Sequence, residues 1–159
     1  MDTTVKGGIL IGVLCGAWTF VMGFTGWYKD PEMLTVFYVV IFIQIGVLVW
    51  ALRKTASEKT YGAQVGAGIL MSLIGGVIII GSSLLFTTVA FPQYFEELRV
   101  AQTQMLINSG NTEAEAAAQM EMAAQFQTPW YQAILGFIGT LLTGAVASLV
   151  IAIFARKKS

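Results

Sequence analysis

Four long stretches without Asp, Glu, Lys or Arg divide the chain: residues 7–28, 33–52, 60–95 and 129–155. An α-helix rises 1.5 Å per residue, so about 20 apolar residues cross the ~30 Å hydrocarbon layer of a bilayer. Each stretch reaches that length. The third exceeds it, and its densest part is 66–90. The pattern predicts spans at about 7–28, 33–52, 66–90 and 130–155. Short polar turns separate the first three, Lys29-Asp30-Pro31-Glu32 and then 53–59. The one long polar stretch, 92–129, lies between the third span and the fourth. The predicted class is all-α: a polytopic membrane protein, one four-helix domain over 1–159 with a helical hairpin inserted at 92–129.

The hairpin is written in detail. Its first arm, 93–109, places Tyr94, Leu98, Ala101 and Met105 at i, i+4, i+7 and i+11, which is one helix face. Gly110 stands where a left-handed cap is wanted. Thr112 and Glu115 form a T-x-x-E capping box that satisfies amides at the next helix start. The second arm, 113–128, is alanine-rich and helix-forming. Ala118, Met122 and Phe126 give its apolar stripe. Pro129 suits the first turn of the fourth span. The arms match in length, about 25 Å each at 1.5 Å per residue. Tyr94, Leu98, Met122 and Phe126 are the candidate hairpin contacts. Glu96, Glu97, Glu113, Glu115 and Glu121 against Arg99 favour an upright pair, because acidic faces are not drawn to anionic lipid.

Charge sets the orientation. Lys6, the 53–59 loop and the C-terminal Arg156-Lys157-Lys158 hold seven of the nine Lys and Arg residues; Lys29 and Arg99 are the others. By the positive-inside rule both termini are cytoplasmic, a parity that four spans satisfy, and the hairpin is extracytoplasmic. Aromatic residues fit the same frame. Trp27, Tyr28, Tyr38, Phe91, Tyr94, Trp130 and Tyr131 fall at the outer span ends and read as headgroup-level anchors.

Small residues mark the helix-packing faces. Gly8, Gly12 and Gly16 recur every fourth position in the first span. Gly68, Ser72 and Gly76 do so in the third, following Gly62 and Gly66, and Gly136, Thr140, Gly144 and Ser148 do so in the fourth. Such ladders let backbones approach in lipid, where van der Waals contact replaces the hydrophobic drive. The second span has no ladder. It is expected at the periphery or against a partner. Gln44 is its intramembrane polar group, and a buried amide needs a partner on another helix.

Composition removes most chemistry. Of 159 residues 56% are hydrophobic and 11% charged, with no histidine and a net charge of zero. There is no basic field for nucleic acid. The spans hold no ionisable acid or base of the kind used by proton relays and ion-coupled carriers. No nucleophile–base pair, phosphate loop or metal-ligand spacing is present. Cys15 reads as a small apolar packing residue. No catalytic residue, metal site or cofactor is predicted, and the chain is expected not to be an enzyme.

The basic second loop, the run Gly66-Ala67-Gly68-Ile69-Leu70-Met71-Ser72-Leu73, the insert opening Phe91-Pro92-Gln93-Tyr94-Phe95 and the Arg156-Lys157-Lys158 tail together resemble domain-of-unknown-function family 4199. That resemblance implies a small bacterial four-helix membrane protein and carries no functional residue with it. The expected function is a structural or accessory subunit of a larger membrane complex in the bacterial inner membrane. Its surroundings are then the lipid bilayer and other membrane protein subunits. The alternative is a small transporter or channel acting as a homo-oligomer, with Gln44 and the hydroxyls of Ser82, Ser83, Thr87 and Thr88 along its path.

Overall fold

The computed structural model describes residues 2–157, so Lys158 of the basic tail lies outside the described residues. Six α-helices account for most of them: α1 (Thr3–Thr25), α2 (Val39–Lys54), α3 (Tyr61–Leu85), α4 (Tyr94–Asn108), α5 (Glu113–Ala124) and α6 (Pro129–Phe154). No strand occurs among the described residues. Four segments are long and apolar enough to cross a membrane: Thr3–Thr25, Leu34–Lys54, Tyr61–Ala90 and Pro129–Phe154.

The ends of these segments have local causes. α1 stops at Gly26, which takes φ 74°, a left-handed cap open to glycine without strain. Trp27 and Tyr28 therefore leave the helix and form a 3₁₀ turn with Lys29. A second 3₁₀ turn, Leu34–Tyr38, leads into α2. α3 does not end at Leu85 but widens into a π-helical turn, Phe86–Ala90, closed by the Phe91 N–H on the Phe86 carbonyl at 2.8 Å. Thr112 and Glu115 cap α5 reciprocally, with the Thr112 N–H 2.8 Å from Glu115 Oε2. Pro129 occupies the first turn of α6, whose Tyr131 N–H bonds the Thr128 hydroxyl at 3.3 Å.

α3 is the centre of the bundle, packed on α1 along one face and on α6 along another. On the α1 side the residue numbers rise together. A Cβ on Gly8 would stand 2.6 Å from that of Ile74, and one on Gly12 would stand 2.9 Å from the Gly75 carbonyl oxygen. Gly16 faces the Ser82 hydroxyl in the same way. On the α6 side the numbers run oppositely and the fit is reciprocal. Ser72 fills the space a side chain at Gly144 would need, and Ser148 fills the space at Gly68. Gly76 receives the Phe137 ring. Gly136 makes only an ordinary contact, 3.4 Å to Ile79, while Gly62 and Gly66 meet nothing within 4 Å. Ser148 Oγ, enclosed by this fit, is the buried side-chain polar atom without a hydrogen bond among the described residues.

α2 lies against α1 and α6 and touches α3 more lightly. It buries Gln44, Leu48, Ala51 and Leu52 on one stripe. Gln44 Nε2 donates to the Thr140 carbonyl of α6 at 2.7 Å and to the Ser72 hydroxyl of α3 at 3.3 Å. At the far end Gln64 Nε2 donates to the Leu52 carbonyl at 2.7 Å and Gln64 Oε1 accepts from Thr55 at 3.0 Å. The outer surface stays apolar, with Phe24, Phe42 and Phe154 79%, 73% and 82% exposed. A water-soluble protein rarely leaves such a continuous apolar surface; it is compatible with a bilayer as solvent.

The second arm is shorter than expected. α5 ends at Ala124, so the arms are 15 and 12 residues rather than equal. Gln125–Thr128 leave the helix, and Gln127 turns back to hold α4: its Nε2 donates to Gln102 Oε1 at 2.8 Å and its Oε1 accepts from Arg99 at 3.3 Å. The stripe also points the other way. α5 buries Ala116 and half-buries Met120 and Ala123. Met122 and Phe126 stay 62% and 49% exposed. Small alanines let α5 approach α4 closely, which the larger side chains would prevent.

Replacing Gly144 by Val should destabilise the bundle by about 1–3 kcal/mol, because the added methyls collide with Ser72 and its helix. Gly62→Ala, at a position with free space, should leave stability unchanged or raise it slightly. Thermal unfolding of both variants in the same detergent is the check; an equal effect would remove the distinction.

Candidate functional site

The site lies where the end of α1, the Leu34–Tyr38 turn, the π turn, the start of α4 and the start of α6 meet. Phe86 and Phe91 are five residues apart. In an α-helix that spacing separates side chains by about 140°; the π turn brings them together, with centroids 4.7 Å apart. Phe20 packs edge-on to Phe86 at 5.4 Å, Tyr94 lies 5.1 Å from Phe86, and Tyr28 lies 5.0 Å from Tyr94. Pairs of this geometry add about 0.5–1.5 kcal/mol each beyond the area they bury.

This corrects the expectation that the rings are anchors spread over span ends. Tyr28, Phe86 and Tyr94 are 3%, 2% and 8% exposed and converge. The residues stand far apart in sequence, and the π turn that joins them has no marker in the apolar pattern. Tyr38, Trp130 and Tyr131 do stay exposed at segment ends, as anchoring rings would.

A charged clasp closes the cluster on its polar side. Glu97 of α4 accepts from the Tyr28 hydroxyl on one oxygen and from Lys29 Nζ at 2.8 Å on the other. The Lys29 bond, then the Tyr28 bond, holds the Glu97 carboxyl below its ordinary value. The clasp joins the turn after α1 to the first arm of the hairpin. The Trp18 indole N–H donates to the Val36 carbonyl at 3.2 Å and fixes the facing turn.

Between that turn and α4 a cleft of about 330 Å³ opens. Its floor is Tyr28, Phe86 and Tyr94, and its walls include Leu34, Phe37, Met105, Gln102 and Gln132. Gln132 Nε2 donates to the Tyr94 hydroxyl at 3.3 Å. Burial pushes the Tyr94 hydroxyl above its ordinary range, and the Gln132 bond offsets part of this.

The structure separates the predicted site residues into three groups. Gly8, Gly12, Gly16, Gly68, Ser72, Gly76, Gly144 and Gln44 lie at helix contacts inside the bundle, with Gly136 at a looser one. Tyr94 and Leu98 sit in the aromatic cluster. Met122 lies apart, on the outside of α5, and Phe126 lies in the turn after it, beside the Tyr131 ring. Cys15 is buried with Sγ 3.6 Å from the Val40 carbonyl. Sequence reasoning passed over Gln64, Gln102, Gln127 and Gln132. For Gln64, Gln127 and Gln132 the signal was an amide near the end of an apolar run; Gln102, inside the first arm, had none. Among the described residues no three His, Cys, Asp or Glu side chains gather to hold a metal.

The fold and site define a small all-helical protein whose four apolar helices are compatible with a multi-pass membrane protein. The chain belongs to the family described as protein of unknown function DUF4199, which it matches over residues 6–157. No curated protein and no solved structure matches it.

Because the Glu97 carboxyl is held low, the clasp's contribution is complete above the ordinary carboxylate value of 4.5 and is lost as pH falls through the lowered folded value. Tryptophan emission from Trp27, beside the clasp, should therefore stay flat from neutral pH to about 4.5 and shift below it. Glu97→Gln should remove that acid transition. A transition at the same pH in the variant would assign it elsewhere.

Proposed function

We propose that the chain is a non-enzymatic multi-pass protein of the bacterial inner membrane, with both termini cytoplasmic and the α4–α5 hairpin outside. Its role is that of a structural or accessory subunit, contacting partner membrane proteins through the hairpin. The observation that carries this reading is the outer face of α5. The helix packs on α4 and on no other element to a comparable extent. It is capped and ordered, yet it turns Met122 outward, and Phe126 of the turn that follows stays half-exposed beside the Tyr131 ring, 5.1 Å away. An amphipathic helix held away from the core with its large apolar side chains exposed is built for a contact.

The transporter or channel reading has less support. The Gln44 amide is committed to Thr140 and Ser72 within the bundle. The hydroxyls of Ser82, Thr87 and Thr88 bond carbonyls of their own helix at 3.1, 2.9 and 2.7 Å. Groups engaged in this way have fewer hydrogen bonds to offer along a path, and this counts against the reading.

The orientation is tested with cysteines placed in a Cys15→Ala background. Ser109→Cys, at the hairpin tip, should react with an impermeant maleimide in intact cells, and Ser57→Cys only after permeabilisation; the reverse pattern inverts the topology. For the role itself, mild-detergent purification should retain a stoichiometric membrane partner, and Met122→Glu with Phe126→Glu should weaken that retention about tenfold or more, as loss of central apolar contacts does. A stable lone monomer would sink the idea.

A further inference from the structure

We propose that the cleft between Leu34–Tyr38 and α4 binds one amphipathic lipid-like molecule of the outer leaflet. Its uncharged, hydrogen-bonding head meets Tyr94, Gln132 and Gln102, and its apolar chain leaves past Phe37 and Met105. This rests on the reading that the four apolar helices span a membrane with the hairpin outside. It is independent of any protein partner on α5.

Size comes first. The cleft of about 330 Å³ is at the small end of ligand pockets, which run from roughly 300 to 1,000 Å³. It holds a head group and the start of a chain. The polar side is incompletely used. The Tyr94 hydroxyl accepts from Gln132 and has no acceptor for its own proton, although the residue is only 8% exposed. Gln132 Oε1 has no donor, and Gln102, whose Oε1 is taken by Gln127, keeps its N–H groups. A ligand oxygen that accepts the Tyr94 proton would add one hydrogen bond to the site.

Charge selects the head. The cleft's lining carries no Lys, Arg, Asp or Glu. Nearby Lys29 is neutralised by Glu97, and Arg99, bonded to Gln127, does not line the cleft. A phosphate would enter without a counter-charge, whereas a hydroxyl, ester or amide head matches the donors and acceptor present. The mouth selects the chain. Phe37 and Met105 flank it and are 40% and 37% exposed. They stand beside the segment that continues into α2, so an alkyl chain passing between them runs onto the apolar flank of the bundle.

The test uses the purified full chain in detergent and a monoacylglycerol carrying a diazirine in its chain, with labelled sites mapped by peptide mass. Saturable labelling is expected on the Leu34–Tyr38 turn and near Met105. Unlabelled monoacylglycerol should compete, and a lysophosphatidylglycerol of equal chain length should compete at least several-fold less well. Tyr94→Phe, which keeps the ring packing, should weaken binding about two- to tenfold, the loss of one hydrogen bond. Met105→Trp should fill the cleft and abolish saturable labelling with helix content unchanged. Non-saturable labelling spread over the exposed apolar face of α6 at Leu142 and Val146, away from the cleft, equal competition by the charged lipid, or identical binding by both variants would overturn the proposal. Release of the chain from membranes by alkaline wash would instead overturn the spanning reading, leaving the detergent assay able to judge the cleft.

Discussion

How closely α3 lets its neighbours approach governs the rest of the bundle. In a bilayer, with which its four apolar helices are compatible, no hydrophobic drive would act between helices, so attraction would have to come from atoms in direct contact. Along α1 the contact is made by glycines against Ile74 and Ile78. Along α6 it is made by an exchange of two serines into two glycine notches. Ser148 shows what that closeness entails: a hydroxyl is left without a hydrogen bond in a place with room for little else. α2 then needs no ladder, because Gln44 reaches across the joined pair to Thr140 and Ser72. One amide ties three helices at the level where their small residues have brought them together.

The same logic separates the two ends. At the end carrying the basic loop, Gln64 holds the Leu52 carbonyl, Lys59 Nζ donates to the Thr4 hydroxyl at 3.2 Å, and the Lys157 N–H reaches the Lys59 carbonyl at 2.8 Å. Polar groups there close the bundle like a stopper. At the hairpin end aromatic rings perform the closure and polar groups surround them. The rings cannot fill their surroundings as evenly as aliphatic side chains do, and a cleft remains beside them.

Most of the helical frame was legible in the apolar runs, because a span must hide its backbone and the length that requires is physical. The capping box at Thr112 and Glu115 and the left-handed Gly110 were legible for the same kind of reason: few residues satisfy those positions. The glycine spacing pointed to close approach without saying which glycine meets which helix. Gly136 sits in the same ladder as Gly144 yet packs loosely, since its neighbour is decided by the crossing of α3 and α6. The aromatic cluster was not legible. Tyr28 and Tyr94 are 66 positions apart in a 159-residue chain, and their meeting follows from a turn at Gly26 and a widened turn at Phe86. The inward face of α5 was misread because alanine has no apolar bulk to announce a contact, while Met122 and Phe126 do.

The π turn at Phe86–Ala90 also bears on how the family can vary. A π turn is an α-helix carrying one extra residue. Removing a single residue there would restore regular α geometry and rotate everything that follows by about 100° relative to the bundle. Phe91 would swing away from Phe86, and the α4 face bearing Glu97 would turn from Tyr28 and Lys29. Members of the family that lack that residue should therefore also lack the clasp, so length at this point and the acid at position 97 are expected to change together.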